Sequence, residues 1–174
     1  MKRCANPQCG KPLKDDKFTY CWDCNKKNKD GGGGGNPSAS GPAPAQLPEG
    51  YLDGGYFETK NDKKYIREEV FISWARAVSA ALKQDGLTST KIRGFFNKLR
   101  AIEYNFKMTH DFDRAREGIF AFARDVAYTE NRGVTKPLFT RFIEKNIAEA
   151  KKDAEHFRAF IEHFQSVVAY FKDK

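Results

Sequence analysis

Apolar residues recur at three- and four-residue intervals along most of the chain beyond residue 64, the spacing of one face of an α-helix. The pattern predicts five amphipathic helices. The stripes expected to be buried are, in chain order, Ile66, Val70, Trp74, Val78 and Ala81; Ile92, Phe95, Phe96, Leu99, Ile102 and Phe106; Ile119, Phe120, Ala123 and Val126; Leu138, Phe139, Phe142, Ile143 and Ile147; and Phe157, Phe160, Ile161, Phe164, Val167, Val168 and Phe171.

Start and stop signals separate these helices. The first begins at Tyr65 and ends at Asp85-Gly86, and Thr88 or Ser89 caps the second. The third spans roughly 112–128, and Pro137 in a first turn opens the fourth. Short loops between amphipathic helices predict an all-α, five-helix bundle. Residues 50–64 follow neither a helical nor an alternating period, so we expect an irregular arm there and no strand anywhere.

Residues 31–49 have a composition unlike the rest of the chain. They begin with five glycines and continue with Pro, Ala and Ser, and they hold almost no apolar side chains to bury. Such a composition is typical of a flexible linker. The expected organisation is therefore a small module at 1–30, a linker at 31–49 and the bundle at 50–174.

All four cysteines precede this linker, at Cys4, Cys9, Cys21 and Cys24, spaced C-x4-C-x11-C-x2-C. Two close pairs of thiolates are the ligand set that a tetrahedral structural zinc site requires. A segment of about thirty residues has too little core to fold without a metal. We predict a structural zinc in a zinc-ribbon-like module. Two disulfides, or a redox pair at Cys21 and Cys24, are the alternatives, and a reducing compartment disfavours disulfides.

Positive charge is in excess in both parts of the chain. The sequence holds 31 Lys and Arg against 23 Asp and Glu, with eight against four in residues 1–30 and twenty against fifteen in residues 65–174. This excess favours a polyanionic partner, although it also serves solubility.

No apolar run approaches the roughly 20 residues of a membrane span, and the amino terminus lacks a secretory signal. We expect a cytoplasmic protein without a membrane partner.

The polar face of the second predicted helix carries the candidate binding residues. Arg93, Asn97, Arg100 and Tyr104 fall within about 60° of one another at 100° per residue, and Lys91 and Lys98 line the other edge of that face. Guanidinium and ammonium groups at this spacing suit phosphate contacts, which predicts RNA or DNA binding. A solvated helix face is the alternative.

Sequence features of an enzyme are scarce. His110-Asp111 with Asp113 resembles part of a metal-dependent hydrolase site, but the further ligands of such a site are missing. His156 and His163 lie beside the apolar stripe of the last helix, where packing residues are expected. We therefore predict a protein that is not an enzyme.

Three stretches resemble the small subunit of type III-A CRISPR effector complexes, the Csm complexes: GYFETKNDKKYIREEVFISWA, LTSTKIRGFFNKLRAIE and FRAFIEHFQSVVAYFK. The resemblance covers residues 50–174. It implies a helical protein without nuclease activity that assembles in several copies along guide RNA and target RNA, beside other subunits, and contacts RNA backbones without reading sequence. Carried onto this chain, it makes Lys91, Arg93, Lys98 and Arg100 the leading RNA-contact candidates, followed by Arg124 and Arg132.

The cysteine module and the linker depart from the pattern of that family. They leave open a second function, that of a zinc-ribbon adaptor. In such a protein the bundle binds protein, and residues 1–30 bind DNA or a partner protein.

The zinc prediction has a direct test. The purified chain should carry zinc, and the variant with Cys21→Ser and Cys24→Ser should lose it, because two ligands cannot complete a tetrahedral site. Metal analysis of both proteins measures this. Full metal retention by the variant would refute the assignment.

Overall fold

The structure, a computed structural model, describes Cys4, Cys9, Pro12 and residues 44–171. The chain divides into two compact units, Met1–Ala43 and Pro44–Lys174. In the first unit Cys4 is buried and Cys9 is half-buried, whereas Cys21 and Cys24 lie outside the described residues. In the second unit Ala45 and Leu47, at the end of the predicted linker, already pack against the core.

Within residues 44–171 the chain forms a two-stranded hairpin followed by a short helix and five long ones. The long helices confirm the predicted bundle. The elements are β1 (Phe57–Lys60), β2 (Lys63–Ile66), α1 (Glu68–Phe71), α2 (Ser73–Gln84), α3 (Ser89–Thr109), α4 (Phe112–Asn131), α5 (Pro137–Ala150) and α6 (Ala154–Tyr170).

Local signals explain the starts of four helices and the end of one. The side chains of Thr88, Asp111 and Asp153 each accept a hydrogen bond from the backbone N–H three residues further on, which caps α3, α4 and α6. Pro137 is the first residue of α5, where its missing N–H costs no hydrogen bond. His110 ends α3 in the left-handed conformation, with φ of 55°.

The expectation of an irregular arm at 50–64 and of no strand anywhere was wrong from residue 57 onward. Strands β1 and β2 pair antiparallel, and Lys60 lies opposite Lys63. Asn61 and Asp62 between them both have positive φ, 51° and 59°. Two consecutive residues with positive φ are typical of a two-residue hairpin turn, whose twist matches the twist of the two strands. Asn and Asp tolerate this conformation better than most side chains.

The predicted start of the first helix was also wrong. Tyr65 and Ile66 belong to β2, where they pair with Glu58 and Phe57. The helical backbone then begins at Glu68 and is interrupted at Ile72, with φ of −118° and ψ of −79°. The apparent helical spacing of Ile66 and Val70 thus joins residues of two different elements.

Helix α6 is the centre of the bundle, since it contacts α1, α2, α3 and α5. The rings of Phe160 and Phe164 are stacked at 5.9 Å, and Phe164 meets Phe142 of α5 edge-on at 5.4 Å. A helix in contact with four others must be apolar around most of its surface. Its fully or nearly fully buried residues are Phe157, Ala159, Phe160, Ile161, His163, Phe164 and Val167.

One predicted core residue was assigned to the wrong face. Phe120 of α4 is 49% exposed, and Phe122 is 3% exposed in its place. Ala115, Ile119, Phe122 and Val126 form the buried stripe of α4 with spacings of four, three and four. Phe120 follows Ile119 by one residue, which turns its side chain about 100° away from the stripe.

A buried polar network fastens the segment before the hairpin to the bundle. Asn146 Nδ2 donates to the Tyr51 hydroxyl at 2.8 Å, and the Tyr56 hydroxyl donates to Asn146 Oδ1 at 2.8 Å. The Tyr51 hydroxyl lies 2.7 Å from His163 Nε2, and His163 Nδ1 lies 2.6 Å from the Val70 carbonyl oxygen. Because a carbonyl only accepts, Nδ1 holds the proton and Nε2 accepts from Tyr51.

Burial lowers the pKa of His163 to about 4, against the hydrogen bond to Val70, which raises it. The neutral ring therefore stabilises the fold above its unfolded pKa of 6.5, and this stability is lost as pH falls toward 4. Between pH 7 and pH 4 we expect His163 to lower the free energy of unfolding by about 3 kcal/mol. Urea unfolding of the wild type and of His163→Gln at both pH values measures this, and an equal pH dependence in the two proteins would contradict it.

Candidate nucleic-acid interface

Helix α3 buries one side and exposes the other along its length. Ile92, Phe95 and Leu99 are buried, and Phe96 meets Phe164 of α6 at 5.5 Å. Because α3 contacts α4 on one flank and α6 on the other, its cations fall into two groups according to the neighbour they approach. The structure therefore splits the single polar face that the sequence predicts.

Helices α3 and α4 run antiparallel and pack closely. A Cβ built on Gly118 would lie only 2.9 Å from Ile102 Cγ2, so the glycine is what allows this approach. Nearer the start of α3, Lys98 reaches Asp125 of α4, and Lys91 reaches the loop that follows α4. The first half of α3 thus lies beside the second half of α4.

The first group of cations, which we name the α3/α4 edge, consists of Lys91, Lys98, Arg124 and Arg132. Asp125 joins two of them, with Oδ2 3.1 Å from Lys98 Nζ and Oδ1 3.6 Å from Arg124. The hydrogen bond from Lys98 holds the pKa of the Asp125 carboxyl below its usual value. These contacts bring together candidate residues that the sequence placed on two separate helices.

The other two members of the α3/α4 edge extend it past the end of α4. Lys91 Nζ donates to the Val134 carbonyl oxygen at 2.7 Å. The Arg132 guanidinium lies over the Tyr128 ring, 5.6 Å from its centroid, and donates to the Tyr128 hydroxyl at 3.2 Å. The edge is therefore continuous from Lys98 and Arg124 to the loop after α4.

The second group, the α3/α6 edge, consists of Arg93, Arg100 and Lys107. Arg100 and Lys107 both pair with Glu103, with Lys107 Nζ 2.6 Å from Oε1. The Glu103 side chain is only 8% exposed. It lines a cavity of about 330 Å³ with residues from the start of α6, including Phe157 and Arg158. Arg93 precedes Arg100 by seven residues and so lies on the same side of α3.

Between the two edges the exposed surface of α3 carries uncharged side chains. Asn97 is exposed, as are Gly94 and Ala101. A Cβ on Gly94 would meet nothing within 4 Å, so nothing in the bundle requires a glycine there. The structure therefore places Asn97 between the edges.

Three residues of this surface, Glu103, Lys107 and Tyr128, were not among the candidates that the sequence predicts. In the structure Glu103 is buried and its charge is balanced by Arg100 and Lys107. The signal available for Tyr128 was its four-residue spacing from Arg124 and Arg132, which places all three along one face of a helix.

The residues that resembled a hydrolase site serve helix ends instead. His110 terminates α3, Asp111 accepts the Arg114 N–H at 3.0 Å as the cap of α4, and Asp113 pairs with Arg116. Among the described residues, no three His, Cys, Asp or Glu side chains lie close enough to hold a metal ion. Since Cys21 and Cys24 are not among them, this finding leaves the zinc prediction untested.

None of the helices in the described part of the chain is long and apolar enough to cross a membrane.

A comparison with protein families finds that the model described as Csm2 Type III-A matches residues 66–174. That range includes β2's last residue, all six helices and both cationic edges. Comparisons with curated proteins and with solved structures found no match.

Proposed function

Because the chain belongs to the Csm2 Type III-A family, the small subunits of type III-A CRISPR effector complexes, we propose that it lines the duplex of guide RNA and target RNA. In this proposal it contacts the RNA backbones without reading their sequence, has no catalytic role, and contributes to antiviral defence by stabilising the complex. It works beside the other subunits and beside copies of itself, in the cytoplasm.

The observation that carries this proposal is the pair of cationic edges on α3. Residues 91–100 and 120–132 together hold six Lys and Arg but only two acids, Asp125 and Glu130. The candidate cations Arg93, Lys98 and Arg100 are exposed. Lys and Arg side chains gain affinity for RNA by displacing the counterions of phosphates, which requires no base contact.

Two carboxylates hold the cations of each edge close together. Asp125 holds Lys98 near Arg124, and Glu103 holds Arg100 near Lys107. Cations fixed in this way lose less side-chain entropy when they bind a phosphate than freely moving ones do.

We also propose that Cys4, Cys9, Cys21 and Cys24 hold a structural zinc in residues 1–30. Support comes from their spacing and from the chemistry of four thiolates, which is the donor set of structural zinc sites. The metal would stabilise a segment too short for a core of its own. The glycine-rich segment that ends before Ala45 would then serve as a linker that lets this module reach a neighbouring subunit or the RNA.

The RNA proposal predicts the effect of removing two cations from the α3/α6 edge. Arg93→Ala with Arg100→Ala should weaken binding of RNA duplexes of any sequence and lower the salt dependence of log K by about one for each lost phosphate contact. Filter binding or fluorescence anisotropy over a range of salt concentrations measures both quantities in the full-length protein.

A matched control removes the same charge elsewhere. Arg114 and Arg141 are exposed and lie outside both cationic edges. Arg114→Ala with Arg141→Ala should therefore change affinity much less than the test pair. Equal losses in the two variants would contradict a localised interface.

If deletion of residues 1–48 abolishes RNA or DNA binding while the Arg93 and Arg100 substitutions do little, the zinc-ribbon adaptor is the correct function.

A further inference from the structure

We propose that Tyr128, with Arg132 on one face of its ring, is a stacking platform for an unpaired nucleobase of the bound RNA. This inference rests on the proposed function and deepens it, because it adds a base contact to an interface otherwise made to the backbone. The contact remains independent of sequence, since every base has a flat face on which an aromatic ring can stack.

The geometry of Tyr128 leaves a ring face available. The side chain is 59% exposed although it belongs to a helix whose opposite side is fully buried. The Arg132 guanidinium lies over the ring at 5.6 Å from the centroid and donates to the hydroxyl. The cation and the hydrogen bond orient the ring, so that less conformational entropy is lost when a base arrives.

The surroundings of Tyr128 indicate a nucleic acid as the occupant. Arg124 lies one turn earlier on the same face and is 78% exposed. Phe120, one turn earlier again, is also exposed, so aromatic and cationic residues alternate at four-residue spacing from 120 to 132. Each step advances about 6 Å along the helix. Cations that track a phosphate backbone beside rings that stack bases are the pattern of single-strand recognition.

Charge on the same surface agrees with this occupant. Lys91 and Lys98 of α3 border the row from the side, and Val134 beside them is exposed and gives its carbonyl to Lys91. Asp125, the acid that lies beside this row, pairs with both Lys98 and Arg124. A protein partner would need acidic groups to match this surface, whereas RNA supplies its phosphates at regular spacing.

The test compares two RNA duplexes of equal length, one fully paired and one with a single bulged adenosine, using full-length protein. Tyr128→Leu should weaken binding of the bulged duplex about tenfold while the paired duplex changes less than twofold. Tyr128→Phe keeps the ring and should retain most of the preference. Tyr65→Leu removes another exposed tyrosine, 49% exposed, from the hairpin and should change neither affinity.

A third RNA carries an abasic site in place of the bulged adenosine, and wild-type protein should bind it about as tightly as it binds the paired duplex. Equal losses for both duplexes in Tyr128→Leu, or full affinity for the abasic RNA, would overturn the stacking platform while leaving backbone binding intact. A loss of self-association in Tyr128→Leu with unchanged RNA affinity would show that a protein covers the ring. Failure of the wild type to bind any of these RNAs would overturn the proposed function itself.

Discussion

The structure of the bundle depends on the burial of α6 among four other helices. Phe164 alone meets rings of α3 and α5, and His163 on the same helix joins the buried network of Tyr51 and Asn146. A helix buried on so many sides leaves its neighbours only one outward face each. The positions of α3 and of the segment before the hairpin therefore both follow from packing on α6.

This constraint decides where the charge of the protein is presented. With its apolar stripe fixed against α6 and α4, α3 must carry its cations outward, and they divide between the two flanks. Gly118 lets α4 approach closely enough for Asp125 to join Lys98 and Arg124. On the other flank, Glu103 pairs with both Arg100 and Lys107. The candidate interface is thus a consequence of core packing and of two carboxylates.

Much of the fold could be predicted because its determinants are local. The cap at Thr88 and the stripes of α3, α5 and α6 depend on near neighbours in sequence. The hairpin was missed because its signal, Asn61-Asp62, is two residues long and its strands are short. Phe120 was assigned to the core wrongly because tertiary packing decides which edge of an apolar stripe is covered. For the same reason the sequence could identify the cationic residues of the candidate site but not their division into two edges.

In the proposed function, RNA lies across the exposed face of α3 and the end of α4. Hydrogen–deuterium exchange of the full-length protein with and without an RNA duplex tests this most directly, since a bound ligand slows local opening where it makes contact. We expect slower exchange in residues 89–100 and 124–134, with the effect lost at high salt. Slower exchange confined to residues 137–150, or to residues 1–48, would contradict it.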